Sequence, residues 1–173
     1  MKVVLFCQKK NYRYAAAFEN GKIMNAEVSY KLKTTISLIL HNDKAVTLAQ
    51  LKEKSRFRKY YEIYQNEIKV GKIKLKKSMI EMSFFKDQFS IYCLNHNHYP
   101  RFYIFKDHEQ VGYIDEKFIN TWNSKQYVGS MSEDLNELLS VIIMLYIEII
   151  KFKPDMLKNS HERIKLHLNL ERK

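Results

Sequence analysis

Three groupings of residues in this chain have types and spacings that could do chemistry. The first is Lys72, Lys74 and Lys76, which alternate with Ile73 and Leu75. On a strand this alternation sends three ammonium groups to one face, about 6.6 Å apart, and the apolar residues to the other. Arg56, Arg58, Lys59 and Lys77 lie close by in sequence and extend the set. Together the seven are a candidate anion- or lipid-binding surface, in which each basic residue near an acidic membrane contributes about 1 kcal/mol. The same residues also read as a solvated strand face, or as lysines that keep a strand edge from pairing with other chains.

The second grouping is Cys93, His96 and His98, with a Cys-x2-His-x-His spacing. A structural zinc site takes four ligands. No fourth stands nearby in sequence, so no metal is assigned and no cofactor is expected. The third is Glu148, a lone carboxylate in an apolar run. Burial without a partner is costly for a carboxylate, so it is expected near the exit of its element, reaching water. Serines and histidines lack any nucleophile-elbow or triad context, and four glycines form no phosphate-binding loop. The expectation is a protein that is not an enzyme.

The elements that must position these residues follow from pattern and composition. The chain has 173 residues, is rich in Tyr, Phe and Ile, and is poor in Gly and Pro. That argues for one β-rich domain and against disorder. The formal net charge is +11 and is unevenly spread. Residues 1–80 hold 18 Lys and Arg against 6 Asp and Glu, whereas residues 81–173 hold 12 against 13. A basic first half seeks an anionic partner: phosphate groups, a membrane surface or an acidic protein. Lysine outnumbers arginine, and lysine is a point charge suited to diffuse attraction rather than to base reading. Cys7 and Cys93 sit in apolar strand-like runs and are expected as two buried free thiols in a reducing, cytoplasmic setting. The N-terminal apolar run is too short for a signal peptide.

Short strands succeed one another along the chain. Lys2–Cys7 is the first, and Tyr14–Phe18 pairs with Ile23-Met24 around Asn20-Gly21, which favours a type I′ turn. Val28–Leu40 alternates in part and ends at the turn signal His41-Asn42-Asp43-Lys44; Ala45–Leu51 then returns. Lys52–Lys59 reads as a charged loop. Residues 61–73 then reappear, in character, at 102–114. The pairs are Tyr61/Phe102, Ile63/Ile104, Tyr64/Phe105, Val70/Val111, Gly71/Gly112 and Ile73/Ile114. Each copy reads as strand, polar turn, strand. A glycine inside the second strand marks a bulge or a close approach of another segment.

Met79–Phe85 and Gln88–Leu94 form another hairpin around Lys86-Asp87. Asn95–Pro100 reads as a polar loop and Phe118–Gln126 as an irregular connection before a short strand, Gln126–Ser130. The count is roughly twelve strands, as in an all-β barrel.

Asp134 to Phe152 is the one long helix. Asp134 is placed as N-cap with Glu137 completing a capping box, and Pro154 follows the end. From Leu138 to Ile150 only Ser140 and Glu148 are polar. A helix apolar nearly all round must be buried on every side. It is short for a membrane span, which takes about 20 apolar residues. Residues 154–173 form a C-terminal extension. There Ile164, Leu166, Leu168 and Leu170 alternate as on a strand, while Leu157, His161, Ile164 and Leu168 fit a helix equally well.

Repeated strand pairs ending in Val-Gly-x-Ile, a short strand, an acidic cap and then one hydrophobic helix make a distinctive order. It resembles the tubby C-terminal-like superfamily, which includes the LURP-one-related proteins, the phospholipid scramblases and small bacterial homologues. The likeness covers residues 57–152 by motif and residues 1–56 by strand count. It implies a mainly β domain over residues 1–153, a closed, roughly twelve-stranded antiparallel barrel around a central hydrophobic helix at 134–152. The extension departs from the pattern, and no phosphoinositide or calcium motif of the family is carried over. Together with the charge distribution, the likeness implies a non-enzymatic binding module that engages an anionic partner, with phospholipid at a membrane surface foremost. Such a protein would be cytoplasmic and peripheral to the membrane, with no transmembrane segment. The alternatives are a nucleic-acid-binding or regulatory protein, its lysines beside Tyr60 or Trp122, and a protein-interaction scaffold using a barrel mouth or the extension.

Overall fold

The computed structural model describes residues 1–8, 13–31, 35–42, 44–55, 59–76, 79–96, 99–119, 124–133 and 135–150. The described residues form twelve strands and then one helix. The strands are β1 (Lys2–Gln8), β2 (Arg13–Phe18), β3 (Ile23–Lys31), β4 (Thr35–Asn42), β5 (Thr47–Ser55), β6 (Tyr60–Gln65), β7 (Ile68–Lys76), β8 (Met79–Phe84), β9 (Asp87–His96), β10 (Tyr99–Lys106), β11 (Glu109–Ile119) and β12 (Ser124–Met131), and α1 is Glu137–Ile150. Each strand pairs antiparallel with its sequence neighbours, and β1 pairs with β12 from Lys2↔Ser130 to Phe6↔Gln126. The sheet is therefore a closed barrel of mainly β class, and closure leaves no edge open to other chains.

Period-two alternation sets the inner face. Val3, Leu5 and Cys7 of β1, Tyr61 and Ile63 of β6, and Ile80, Met82 and Phe84 of β8 are all buried, while the residues between them are more exposed. These side chains and those of α1 belong to one hydrophobic cluster. Every residue from Leu139 to Ile147 is buried. The rings of Tyr61 and Tyr146 meet edge to face at 5.5 Å, and the Tyr146 hydroxyl donates to the Lys59 carbonyl.

The two sequence copies fold alike. Hairpin β6–β7 turns at Asn66-Glu67 and hairpin β10–β11 at Asp107-His108, and all four residues have positive φ. That pair of angles is the type I′ signature, which matches the twist of the strands. Both hairpins shift register after the equivalent residue, Ile63 or Ile104. A Cβ on Gly71 would lie 2.3 Å from the Ser83 carbonyl oxygen, and one on Gly112 would lie 2.7 Å from Met131 Sδ and 2.9 Å from the Ser130 oxygen. The glycines thus answer both expectations at once, a bulge and a close neighbour.

Several local expectations are corrected. At Asn20-Gly21 only the glycine has positive φ, and a four-residue connection replaces the type I′ turn. The run Val28–Leu40 divides between two strands, β3 and β4, and His41-Asn42 continue β4. Residues 52–55 are strand rather than loop, because Lys52 and Lys54 point outward while Glu53 turns in beside the Tyr61 hydroxyl at 3.4 Å. The hairpin between β8 and β9 turns at Phe85-Lys86. Strands β9 and β10 take up most of the expected loop at 95–100, and β11 and β12 both ends of the expected irregular stretch. The helix begins at Glu137 under a different cap: the Asn136 side chain accepts from the Leu139 N–H at 2.8 Å. Glu137 instead accepts from Asn20 at 2.9 Å and pairs with Lys22. Asp134 and residues 151–173 lie outside the described residues.

Candidate anion-binding surface

The lysine row sits where the alternation puts it. On β7, Ile73 is buried, while Lys72 and Lys76 are exposed and Lys74 is half-buried. Cross-strand neighbours then decide how much of that charge is free. Glu81 of β8, opposite Lys74, pairs with Lys74 at 3.2 Å and with Lys76. Burial pushes the Glu81 carboxyl up, but Lys76 and Lys74 together hold it below its ordinary value. Two of the three ammonium groups therefore have a carboxylate partner. Among the described residues Lys72 has no carboxylate partner within ion-pair distance. With Tyr60, Leu75 and the other two lysines it lines a shallow depression of about 400 Å³.

Next to the row, Glu62 of β6 is the hub of a second network. It pairs with Lys54 at 3.3 Å and with Lys69, and accepts from the hydroxyls of Tyr64 at 2.7 Å and Tyr60 at 3.2 Å. The Lys69 ammonium above all, and then Tyr64, hold the Glu62 carboxyl down at about 2. Lys52 lies 4.5 Å from the centre of the Tyr64 ring, within cation–π range. Sequence spacing alone does not reveal either network, because each carboxylate is contributed by a neighbouring strand.

Of the other candidates, Lys59 is half-buried just before β6 with φ of 46°, and its carbonyl accepts from Tyr146. Arg56, Arg58 and Lys77 lie outside the described residues, as do His98 and Trp122. Cys7 and Cys93 are buried free thiols as expected, and burial pushes the Cys93 thiol up, which disfavours the thiolate a metal would need. Among the described residues no three His, Cys, Asp or Glu side chains gather as metal ligands. Glu148 is half-buried and accepts from the Tyr127 hydroxyl at 2.8 Å, so it has a partner near the helix end. Burial and then the Glu148 and Glu116 carboxylates push the Tyr127 hydroxyl up, keeping it a donor.

No family model, curated protein or solved structure matches this chain. The tubby-like reading accordingly rests on the order of its elements. Among the described residues no helix is long and apolar enough to cross a membrane.

The topology adds something that spacing could not. Strands alternate in direction, so connections alternate between the two rims. By chain connectivity, the strand ends at one rim are joined by residues 9–12, 32–34, 56–59, 77–78, 97–98 and 120–123. Those six stretches contain Lys9, Lys10, Lys33, Arg56, Arg58, Lys59 and Lys77, and no Asp or Glu. At the other rim the connections are 19–22, 43–46, 66–67, 85–86, 107–108 and 132–136. They carry Glu19, Asp43, Glu67, Asp107, Glu133 and Asp134 against Lys22, Lys44 and Lys86. In sequence, then, the connections of the two rims differ in charge.

Proposed function

We propose that α1 threads the barrel, and that the whole is a non-catalytic, tubby-like binding module whose basic rim engages phospholipid headgroups at an anionic membrane surface. The single observation that carries the functional part is the sorting of charge by rim. Seven basic residues and no carboxylate fall in the connections of one rim, and Arg13, Lys54 and Lys76 stand at or next to the strand ends beside them. A cluster of this size, mostly lysine, suits a diffuse anionic surface more than a bidentate clamp.

The threading helix is supported by two considerations. An eight-stranded barrel is just wide enough for side chains to fill, so twelve strands leave a wider interior to occupy. The described contacts of α1 also begin at one rim, with Asn20 and Lys22, and end at the other, with the Lys59 carbonyl. A central helix would give the rim a rigid frame.

Sedimentation with liposomes tests the reading. The protein should pellet with vesicles containing phosphatidylserine and stay in solution with pure phosphatidylcholine, and the difference should shrink as salt rises. Arg56→Glu/Arg58→Glu/Lys77→Glu should abolish pelleting, whereas Lys44→Glu/Lys86→Glu at the opposite rim should not. Equal pelleting with both lipids, or none, would sink the lipid assignment. Tight, steeply salt-dependent binding of nucleic acid in its place would move the assignment to that partner.

A further inference from the structure

Phe85 and Lys86 join β8 to β9, and of the two only Phe85 has positive φ, at 52°. This is the first central position of a two-residue hairpin loop, where glycine is favoured. A bulky side chain at positive φ is strained, and the fold bears the cost. The ring does little to offset it. It meets the Phe84 ring edge to face at 4.8 Å, yet it remains 65 % exposed. Glycine or asparagine would suit the turn better, so the hairpin itself gives no reason for a phenylalanine.

Ile68 is a second apolar residue that its hairpin does not need. It opens β7 close to Phe85, whose N–H donates to the Val70 carbonyl at 2.7 Å, and it is 68 % exposed. Hairpin β10–β11, with the same turn and the same bulge, carries Glu109 at the matching position. One tip further round the rim, Val46 in the connection from β4 to β5 is 56 % exposed. Single exposed apolar residues are ordinary, but these three stand on successive hairpin tips, which lie two strands or about 10 Å apart. The charge beside Ile68 and Phe85 is mainly negative. Glu67 adjoins Ile68, and Asp107 and Glu109 stand on the next tip beyond Phe85. All three carboxylates are exposed, and none has an ion-pair partner among the described residues. Lys69 and Lys106 are already held by Glu62 and Asp87, which leaves Lys86 against the three. At the Val46 tip, Lys44 follows Asp43 in sequence. An anionic bilayer would press lipid phosphates on these carboxylates, and a second copy docked tip to tip would press carboxylate on carboxylate. Both arrangements are repulsive. A cationic partner with an apolar face meets neither objection.

We propose that these tips dock a cationic amphipathic peptide segment of a partner protein, its apolar side chains on Ile68 and Phe85 with Val46 at the border, and its Lys or Arg residues against Glu67, Asp107 and Glu109. Strain at Phe85 is then kept for the contact its ring makes. The tips belong to the rim opposite the connections that contain Arg56, Arg58 and Lys77, so the inference is independent of the lipid assignment.

Fluorescence anisotropy of the full chain with a labelled amphipathic helix of leucine and lysine tests it. That peptide should bind, and a leucine–glutamate helix should bind at least about tenfold more weakly. Ile68→Glu, which copies the matching hairpin, and Phe85→Gly should each weaken the leucine–lysine peptide by about tenfold. Glu67→Gln/Asp107→Asn/Glu109→Gln should weaken it too, and flatten its dependence on salt. Phe85→Gly should melt no lower than the parent chain, because it relieves the positive φ. A large drop in its melting temperature would make Phe85 a structural residue and sink the proposal. So would a leucine–lysine helix that fails to bind, or that binds Ile68→Glu and Phe85→Gly as well as the parent. Liposome pelleting that these two variants abolish would make lipid the occupant, and a dimer that they dissociate would make it a second copy; either result overturns the peptide assignment.

Discussion

Hairpins β6–β7 and β10–β11 are two castings of one design whose inner and outer faces have had different fates. Inside, the residues correspond: Tyr61 with Phe102, Ile63 with Ile104, Ile73 with Ile114, all buried. The turns share a type I′ backbone and the bulges fall at the same place. Outside, Glu62 is matched by Tyr103, Tyr64 by Phe105, Lys72 by Tyr113 and Lys74 by Asp115. The first outer face is an ion network around Glu62; the second carries the buried Phe105 beside half-buried Tyr103 and Tyr113, flanked by the Arg101–Asp115 pair, with bonds of 2.6 and 2.9 Å. The inner face answers to barrel geometry, which is the same everywhere around the wall. The outer face is free of that constraint, and the two hairpins differ there in charge and in burial.

The largest effect is expected from within the shared core. Ile143→Lys places an unpaired charge among fully buried residues of α1 and should leave no folded protein at room temperature. A soluble variant with a native far-UV spectrum would overturn the threading helix on which both inner faces are proposed to pack.

Across the outer faces, Phe105→Ala should cost about 3–5 kcal/mol, as for a buried ring, and Tyr64→Ala less than about 1 kcal/mol. Urea denaturation of the two variants measures the gap. Equal losses would mean that the β10 face is no more covered than the β6 face.

The two glycines differ in what stands over them. Gly71→Ala drives a methyl against backbone, the Ser83 carbonyl at 2.3 Å, whereas at Gly112 the nearest atom is the flexible Met131 Sδ. Both should destabilise by overpacking, by about 1–3 kcal/mol, with Gly71→Ala the worse of the two. Thermal melts of the pair read the order directly.

The smallest effect is electrostatic and belongs to one hairpin alone. The folded Glu62 carboxyl is held at about 2 against an ordinary 4.5. A depressed carboxyl stabilises the folded state above its unfolded value, and loses that contribution as pH falls through the folded one. The Glu62 contribution should therefore be full above about pH 4.5 and vanish by about pH 2. Glu62→Gln should flatten that part of the stability curve, measured as urea midpoint against pH. Tyr103→Phe, at the matching position, should leave it unchanged.

Much of the architecture was legible because it is local. Alternating apolar residues announce a half-buried strand wherever they stand, and the apolar circumference of residues 138–150 announces a helix with no solvent face. Where local signals were misleading, the reason is physical. Lys31-Leu32-Lys33-Thr34 contains no Gly, Pro, Asn or Asp, so nothing in it marks the break between β3 and β4. Lys52-Glu53-Lys54 looks like a loop because the buried Glu53 breaks the apolar alternation, and its partner, the Tyr61 hydroxyl, stands on the next strand. The lysine row was likewise readable as a row, but the pairing of Lys74 and Lys76 was not, since Glu81 belongs to the neighbouring strand β8.

By itself, then, the sequence determined the strands, the roughly twelvefold count, the paired hairpins and the apolar helix, since each depends on residues within a few positions of one another. It also held the excess of charge in the first half. Only the tertiary structure decided closure through β1 and β12, residues more than a hundred apart. Only the up-and-down course of the strands assigns the connections that contain Lys9, Lys33, Arg56 and Lys77 to one end of the wall. Alternating strand direction sends every second connection to the same end, and that is a property of the assembled wall, which no short stretch of sequence contains.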